Sequence, residues 1–166
     1  MVVIVFAVVA VTLVLIGMQR PSEPPPEVEI TQAGTPAEPR PVNVIMRDYR
    51  FDPTPVVLVP GETVRFNIFN AGLEVHDFVI GDADVQQAWS IADAAATPPN
   101  ILATAPPASV PPGTGGLRVF LRSGEQASVD YGVPSDEQLA LLCHIPGHIE
   151  KGMVGRVDLR EVTISA

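Results

Sequence analysis

From Val42 onward, apolar side chains recur at every second position in runs a few residues long, each closed by proline or glycine. That spacing restricts the chain to a fold of short strands. Val42, Val44 and Met46 alternate with Asn43, Ile45 and Arg47, and Val64, Phe66 and Ile68 alternate with Arg65, Asn67 and Phe69. A period of two puts alternate residues on opposite faces, so each run has one face for a core and one for solvent. Asp52-Pro53-Thr54-Pro55 and Pro60-Gly61-Glu62 supply the turns between them, proline by fixing φ and glycine by accepting positive φ. Further strands are expected at 75–80, 117–121, 127–133, 138–143 and 155–159. Residues 82–96 read as a short helix carrying Trp89 and Ile91, and with the proline-rich passage that follows they form an insertion over 82–116. Seven to eight short strands joined by turns predict an all-β sandwich with Greek-key connections. The 46% hydrophobic content is ample for one core, and 166 residues leave no room for a second, catalytic domain.

Ahead of that domain, residues 1–18 read MVVIVFAVVAVTLVLIGM, without a charged side chain and with only Thr12 polar. As a helix rising about 1.5 Å per residue the run would extend roughly 27 Å, enough for the hydrocarbon core of a bilayer. Residues 1–19 are therefore expected to form a transmembrane anchor. The alternative is a cleaved signal peptide that leaves a secreted protein, but the run exceeds the usual apolar core of about 7–15 residues and no small-x-small site follows it. Arg20 taken alone would keep the following chain in the cytoplasm. The metal chemistry below instead places the domain on the extracytoplasmic side, periplasmic or outer. Residues 20–41 are rich in proline and glutamate and poor in aromatics, which predicts an unpacked, semi-rigid linker reaching up to about 60 Å. The domain proper is then expected over 42–166.

The chemistry is concentrated in Cys143-His144-Ile145-Pro146-Gly147-His148-Ile149-Glu150-Lys151-Gly152-Met153, which contains the only cysteine of the chain. Singly these residues have plain explanations: a lone strand cysteine is usually a small buried hydrophobe, and a methionine usually fills core. Jointly, four residues separate Cys143 from His148 and four more separate His148 from Met153. Pro146-Gly147 can turn the chain between the first pair, and Gly152 frees the backbone just before the third. One hairpin loop can thus bring a thiolate, an imidazole and a thioether to one point. The chain has three histidines, so His76, at the start of a strand, is the candidate for a second imidazole outside the run. Two imidazoles, a thiolate and a weak axial thioether are the ligand set of a mononuclear blue-copper electron-transfer centre cycling between Cu(I) and Cu(II). His144 falls on the opposite strand face from Cys143 and is expected at the surface. Asp77, Glu150 and Lys151 are expected as solvated charges at the site mouth.

Other chemistries fit less well. Catalytic zinc would keep water rather than a thioether in its fourth position, and no general base is evident. A cysteine hydrolase would need a correctly facing histidine and a third orienting residue. A binuclear copper centre would need another cysteine. The formal charge of -9, without basic clusters, argues against nucleic acid and favours a basic protein partner.

Phe51-Asp52-Pro53, Gly61-Glu62-Thr63-Val64-Arg65-Phe66, residues 70–81 and residues 143–155 resemble the cupredoxin family of plastocyanin and azurin. The ligand loop is similar to those of rusticyanin, auracyanin and sulfocyanin. The resemblance covers most of 42–166 apart from the insertion. It implies copper ligands at His76, Cys143, His148 and Met153. It also implies that electrons pass at the edge of His148, in an apolar patch with Ile145, Pro146 and Ile149. Two positions depart from the family: Asp77 stands where Asn or Ser is common, and the strand into the cysteine, Gln138-Leu139-Ala140-Leu141-Leu142, lacks an aromatic residue. The expectation is a membrane-tethered carrier of single electrons between protein redox partners, with no small-molecule substrate and no enzymatic turnover. The alternative is an extracytoplasmic copper-binding protein for delivery or storage. No exposed methionine or histidine clusters favour that alternative.

Overall fold

The computed structural model describes residues 29–96 and 108–163. The expected anchor over 1–19 and the linker residues up to 28 lie outside the described residues, as do residues 97–107 of the insertion. Among the described residues no helix is long and apolar enough to cross a membrane. The elements run β1 (Arg40–Arg47), β2 (Arg50–Asp52), β3 (Val56–Leu58), β4 (Thr63–Asn70), β5 (His76–Gly81), α1 (Ala83–Ala95), β6 (Leu117–Leu121), β7 (Gln126–Gly132), β8 (Ala140–Leu142) and β9 (Val154–Leu159). Two sheets result, one ordered β2-β1-β4-β7 and the other β3-β9-β8-β5-β6. β1 lies parallel to β4, and β3 parallel to β9, so the chain crosses between sheets instead of pairing only sequence neighbours.

The expected alternation is visible along β4. Val64, Phe66, Ile68 and Asn70 are buried, while Thr63, Arg65, Asn67 and Phe69 face outward or lie half-buried. The inward residues of both sheets meet in one core, where the Phe66 and Phe78 rings lie 4.9 Å apart and Phe51 stands edge-on to Phe78 at 6.2 Å. Outside, Arg65 pairs with Asp130 across β4 and β7.

Nine described strands exceed the seven to eight expected. β2 and β3 are three residues each and flank Pro53 and Pro55, too short for a period of two to register. β5 is buried along its whole length because α1 covers the face that the other sheet does not. Gln86 of α1 donates to the carbonyls of Val79 and Ala140. Val85 lies so close to Gly81 and Gly116 that a Cβ at either would collide with it. The helix itself starts as expected, with the Asp82 carboxylate capping the Val85 N–H.

The linker also departs from expectation. Ile30 is buried, and the Thr163 N–H bonds its carbonyl. The Gly34 N–H donates to Glu62 Oε2 at 3.1 Å, its carbonyl accepts from Thr63, and Arg40 pairs with the buried Glu62 carboxylate. Polar backbone and one buried acid dock this segment, which apolar periodicity alone could not reveal. β1 accordingly begins two residues ahead of Val42. This dock lies at the start of β1 and β4, whereas the residues that end those strands, and the turn after β1, lie at the far end of the sandwich.

Candidate metal centre

Three secondary-structure boundaries converge at that far end. His76 is the first residue of β5, which lies between β8 and β6 in the sheet. Cys143 directly follows β8, and its N–H reaches the Met153 carbonyl at 3.4 Å. Two consecutive turns build the loop between them: the His148 N–H bonds Ile145 O at 3.0 Å, and the Gly152 N–H bonds Ile149 O at 2.9 Å. Pro146 followed by Gly147 at φ 86° is the pattern of a type II turn, and Gly152 at φ 98° ends the second turn. The Met153 N–H then returns to His148 O at 2.9 Å.

This framework brings ligand atoms of His76, Cys143 and His148 within 4.8 Å of one another. His76 Nδ1 stands 3.2 Å from His148 Nδ1, and Cys143 Sγ stands 3.4 Å from the same atom. Two donors that share one ion at about 2.0–2.3 Å each stand roughly 3–4 Å apart, so the spacing fits. All three residues are buried, His148 at 2% exposure. Met153, the fourth expected ligand, is fully buried and joined through its backbone to both Cys143 and His148.

The other nitrogen of each imidazole is committed elsewhere. His76 Nε2 lies 2.8 Å from Asp48 Oδ1, and His148 Nε2 lies 3.1 Å from Glu74 Oε2. Burial pushes Asp48 up, but bonds from the Leu73 N–H, His76 and the Glu74 N–H outweigh it and hold the carboxyl below its ordinary range. The Tyr49 hydroxyl, and then His148, hold Glu74 low in the same way. An ionised carboxylate only accepts, so each histidine donates to it from Nε2 and turns Nδ1 inward. The two Nδ1 atoms, 3.2 Å apart beside a sulfur, form the donor set that a cation would join.

Electrostatics around the sulfur point the same way. Burial pushes the Cys143 thiol up to about 12, an effect partly offset by the backbone N–H groups of Asp77 and Ile145. The Asp77 N–H lies 3.3 Å from Sγ. A cation would displace the thiol proton and take over the thiolate that those N–H groups already face. Burial holds His148 below the ordinary histidine range, with the neighbouring His76 adding to the effect. It therefore offers a neutral, ligating ring near pH 7.

Several expectations about the surroundings are corrected. Asp77 is not a solvated charge but fully buried, bonded to Arg118 at 2.7 Å, which also holds Asp93 of α1 at 2.8 Å. His144 does turn away from Cys143, yet it is buried under α1, with its Nε2 2.8 Å from Gln86 Oε1. The edge of His148 is not an open port. Glu74 closes Nε2, and the Tyr49 ring stands edge-on at 5.0 Å with Lys151 4.2 Å above it. Ile149, at 37% exposure, remains the apolar surface beside it. Glu150 and Lys151 are exposed as expected. Asp48, Tyr49 and Glu74 were not legible as site residues, because they sit in turns with no spacing pattern. The one available signal is general: a metal-bound imidazole usually donates its second N–H to an acceptor.

No family model matches the sequence. The copper-resistant cuproprotein CopI of Rubrivivax gelatinosus is 33% identical over 127 residues, spanning 73% of this chain and 67% of that protein. Among solved structures, auracyanin B is similar with a TM-score of 0.57 and 27% identity over 80% of this chain and 95% of that one. The dithionite-reduced auracyanin of Roseiflexus castenholzii shares the fold with a TM-score of 0.57, at 19% identity over 73% of this chain and 97% of that one.

Proposed function

This chain belongs to the cupredoxin family, with copper as its cofactor, and from that premise we propose that it carries single electrons between protein redox partners. In this reading His76, Cys143 and His148 would hold the copper, with Met153 as the fourth ligand. The observation that carries it is the convergence of two imidazole nitrogens and one sulfur, all buried, at a point fixed by strands and two turns. When bound, copper supplies one-electron exchange and an intense thiolate-to-Cu(II) charge-transfer band. The residues supply what makes exchange fast. β5 and the loop hold the donors in one arrangement, the Asp77 N–H holds the sulfur, and the core excludes water. The acidic surface suits a basic partner.

The domain is assigned to the extracytoplasmic side, because a solitary copper-thiolate carrier suits an oxidising compartment, and its tether is assigned to the apolar run over 1–18. A second reading, copper delivery or storage, draws support from the copper-resistance role in the relative's name. The depth of the ligands, 0 to 2% exposed, favours electron transfer over ready release of the ion. Copper-loaded protein should show the charge-transfer band, and Cys143→Ser should abolish it. A colourless copper-loaded wild type refutes the assignment. Reversible reduction with copper retained supports a carrier, while loss of the ion on reduction supports delivery.

A further inference from the structure

We infer that Asp48 and Glu74 are positioning residues of the centre: each carboxylate fixes the tautomer and direction of one ligand imidazole, and together they bias the site toward the divalent ion. The inference deepens the blue-copper reading and rests on it for the second clause alone.

The geometry is paired. Asp48, in the turn after β1, meets His76 Nε2 at 2.8 Å, and Glu74, in the loop before β5, meets His148 Nε2 at 3.1 Å. Both acids are themselves held. Asp48 Oδ2 accepts the Leu73 N–H at 2.9 Å, and its Oδ1 accepts the Glu74 N–H at 3.3 Å. Glu74 Oε1 accepts the Tyr49 hydroxyl, to which Lys151 donates at 2.7 Å. Asn70 ties the same loop down by donating to Glu74 O at 2.8 Å and Leu121 O at 3.0 Å while accepting the Gly72 N–H. Gly72 makes room for the arrangement. A Cβ there would collide with the Asp48 carboxylate and stand 2.7 Å from His76 Nε2. One short segment, 70–76, therefore carries a ligand, one acid, and the gap that admits the other.

Two consequences follow from charge and direction. A carboxylate at Nε2 keeps the proton there and leaves Nδ1 as the donor, so neither ring needs to rotate when an ion arrives. Two anions one imidazole away from the ion favour the higher charge state, because the attraction scales with the ion's charge; the carboxylates are 29% and 46% exposed, so solvent screens part of it.

The test uses the full chain. In copper-free wild type at about pH 8, above the ordinary histidine range, nitrogen NMR should show His76 and His148 protonated on Nε2 alone. Asp48→Ala should produce a mixture of tautomers at His76 and leave His148 unchanged. Asp48→Asn and Glu74→Gln keep the shape and remove one charge each. Each should weaken Cu(II) binding about 10–100-fold and Cu(I) binding less, so the potential rises by about 59 mV for every tenfold difference between the two losses. Gly72→Ala should reproduce the Asp48→Asn shift. Protonation on Nδ1 in the copper-free wild type overturns the positioning role. Equal losses of Cu(I) and Cu(II) affinity, with the potential unmoved in both variants, overturn the bias. A colourless copper-loaded wild type would defeat the blue-copper reading, while the tautomer measurement would still decide the positioning role.

Discussion

Replacing Arg118 by methionine should cost this domain about 3–4 kcal/mol. The guanidinium is 7% exposed and lies between two buried carboxylates, Asp77 on β5 and Asp93 on α1. It also stacks 4.5 Å over Trp89 and donates to the Ala108 carbonyl at 3.0 Å. Removing one partner of a buried ion pair costs about 3–5 kcal/mol, because the remaining charge loses its compensation. Here the loss falls in the lower part of that range. Burial already pushes Asp77 up to about 7, so without Arg118 it takes up a proton near neutral pH instead of remaining charged. The stacking on Trp89 adds about 0.5–1 kcal/mol. For a domain of this size the total corresponds to a fall in Tm of roughly 10–15 °C. Thermal and urea unfolding of the copper-free full chain, followed by circular dichroism, measures it. The triple variant Asp77→Asn, Asp93→Asn, Arg118→Met should recover most of the loss, since no charge is then stranded. A loss below about 1 kcal/mol for Arg118→Met alone would refute the view that this ion triad ties α1 to β5 beside Cys143.

Glu62 gives the acid limit of the fold. Burial pushes its carboxyl up, but Arg40 and the Val59 and Gly34 N–H groups outweigh that and hold it below its ordinary 4.5. A depressed folded value means that the stabilisation is complete above 4.5 and is lost as pH falls through the lower, folded value. Glu62→Gln should therefore destabilise by about 1.5–3 kcal/mol at pH 7 and flatten the acid limb of a stability-against-pH curve; an unchanged acid limb contradicts the role of Glu62. Met153→Leu should keep copper but raise the potential by removing a soft donor, and an unchanged voltammogram would remove Met153 from the axial position.

How far the sequence could be read depended on where each residue's partner lies. β1 and β4 were legible because one face of each meets the core and the other meets solvent, so burial writes a period of two into Val42, Val44, Met46 and Val64, Phe66, Ile68. The hairpin from Cys143 to Met153 was legible because its turns are local: Pro146-Gly147 and Gly152 fix the path whatever packs around it. Asp77 was misjudged because its neutralising partner, Arg118, lies 41 positions away and its second neighbour, Asp93, is on an inserted helix. His144 was misjudged for the same reason, since Gln86 of that helix bonds it from above. Asp48 and Glu74 meet their histidines across 28 and 74 positions respectively, and nothing in the turns that carry them marks the contact. Local patterns disclosed which side chains could ligate, while the groups that orient and neutralise them became visible only in three dimensions.

Residues 30–40 dock beside Glu62, at the end of the sandwich opposite the histidines. β1 runs eight residues from Arg40 to Arg47, about 26 Å at the usual strand rise, and Asp48 touches His76 just beyond it. Were the molecule held by its amino end as proposed, its copper site would point outward like a lamp on a post, with the sandwich itself as the last rigid segment of the arm. Partners would be met by diffusion across the compartment, and the surface to which the post is fixed would stay behind the light.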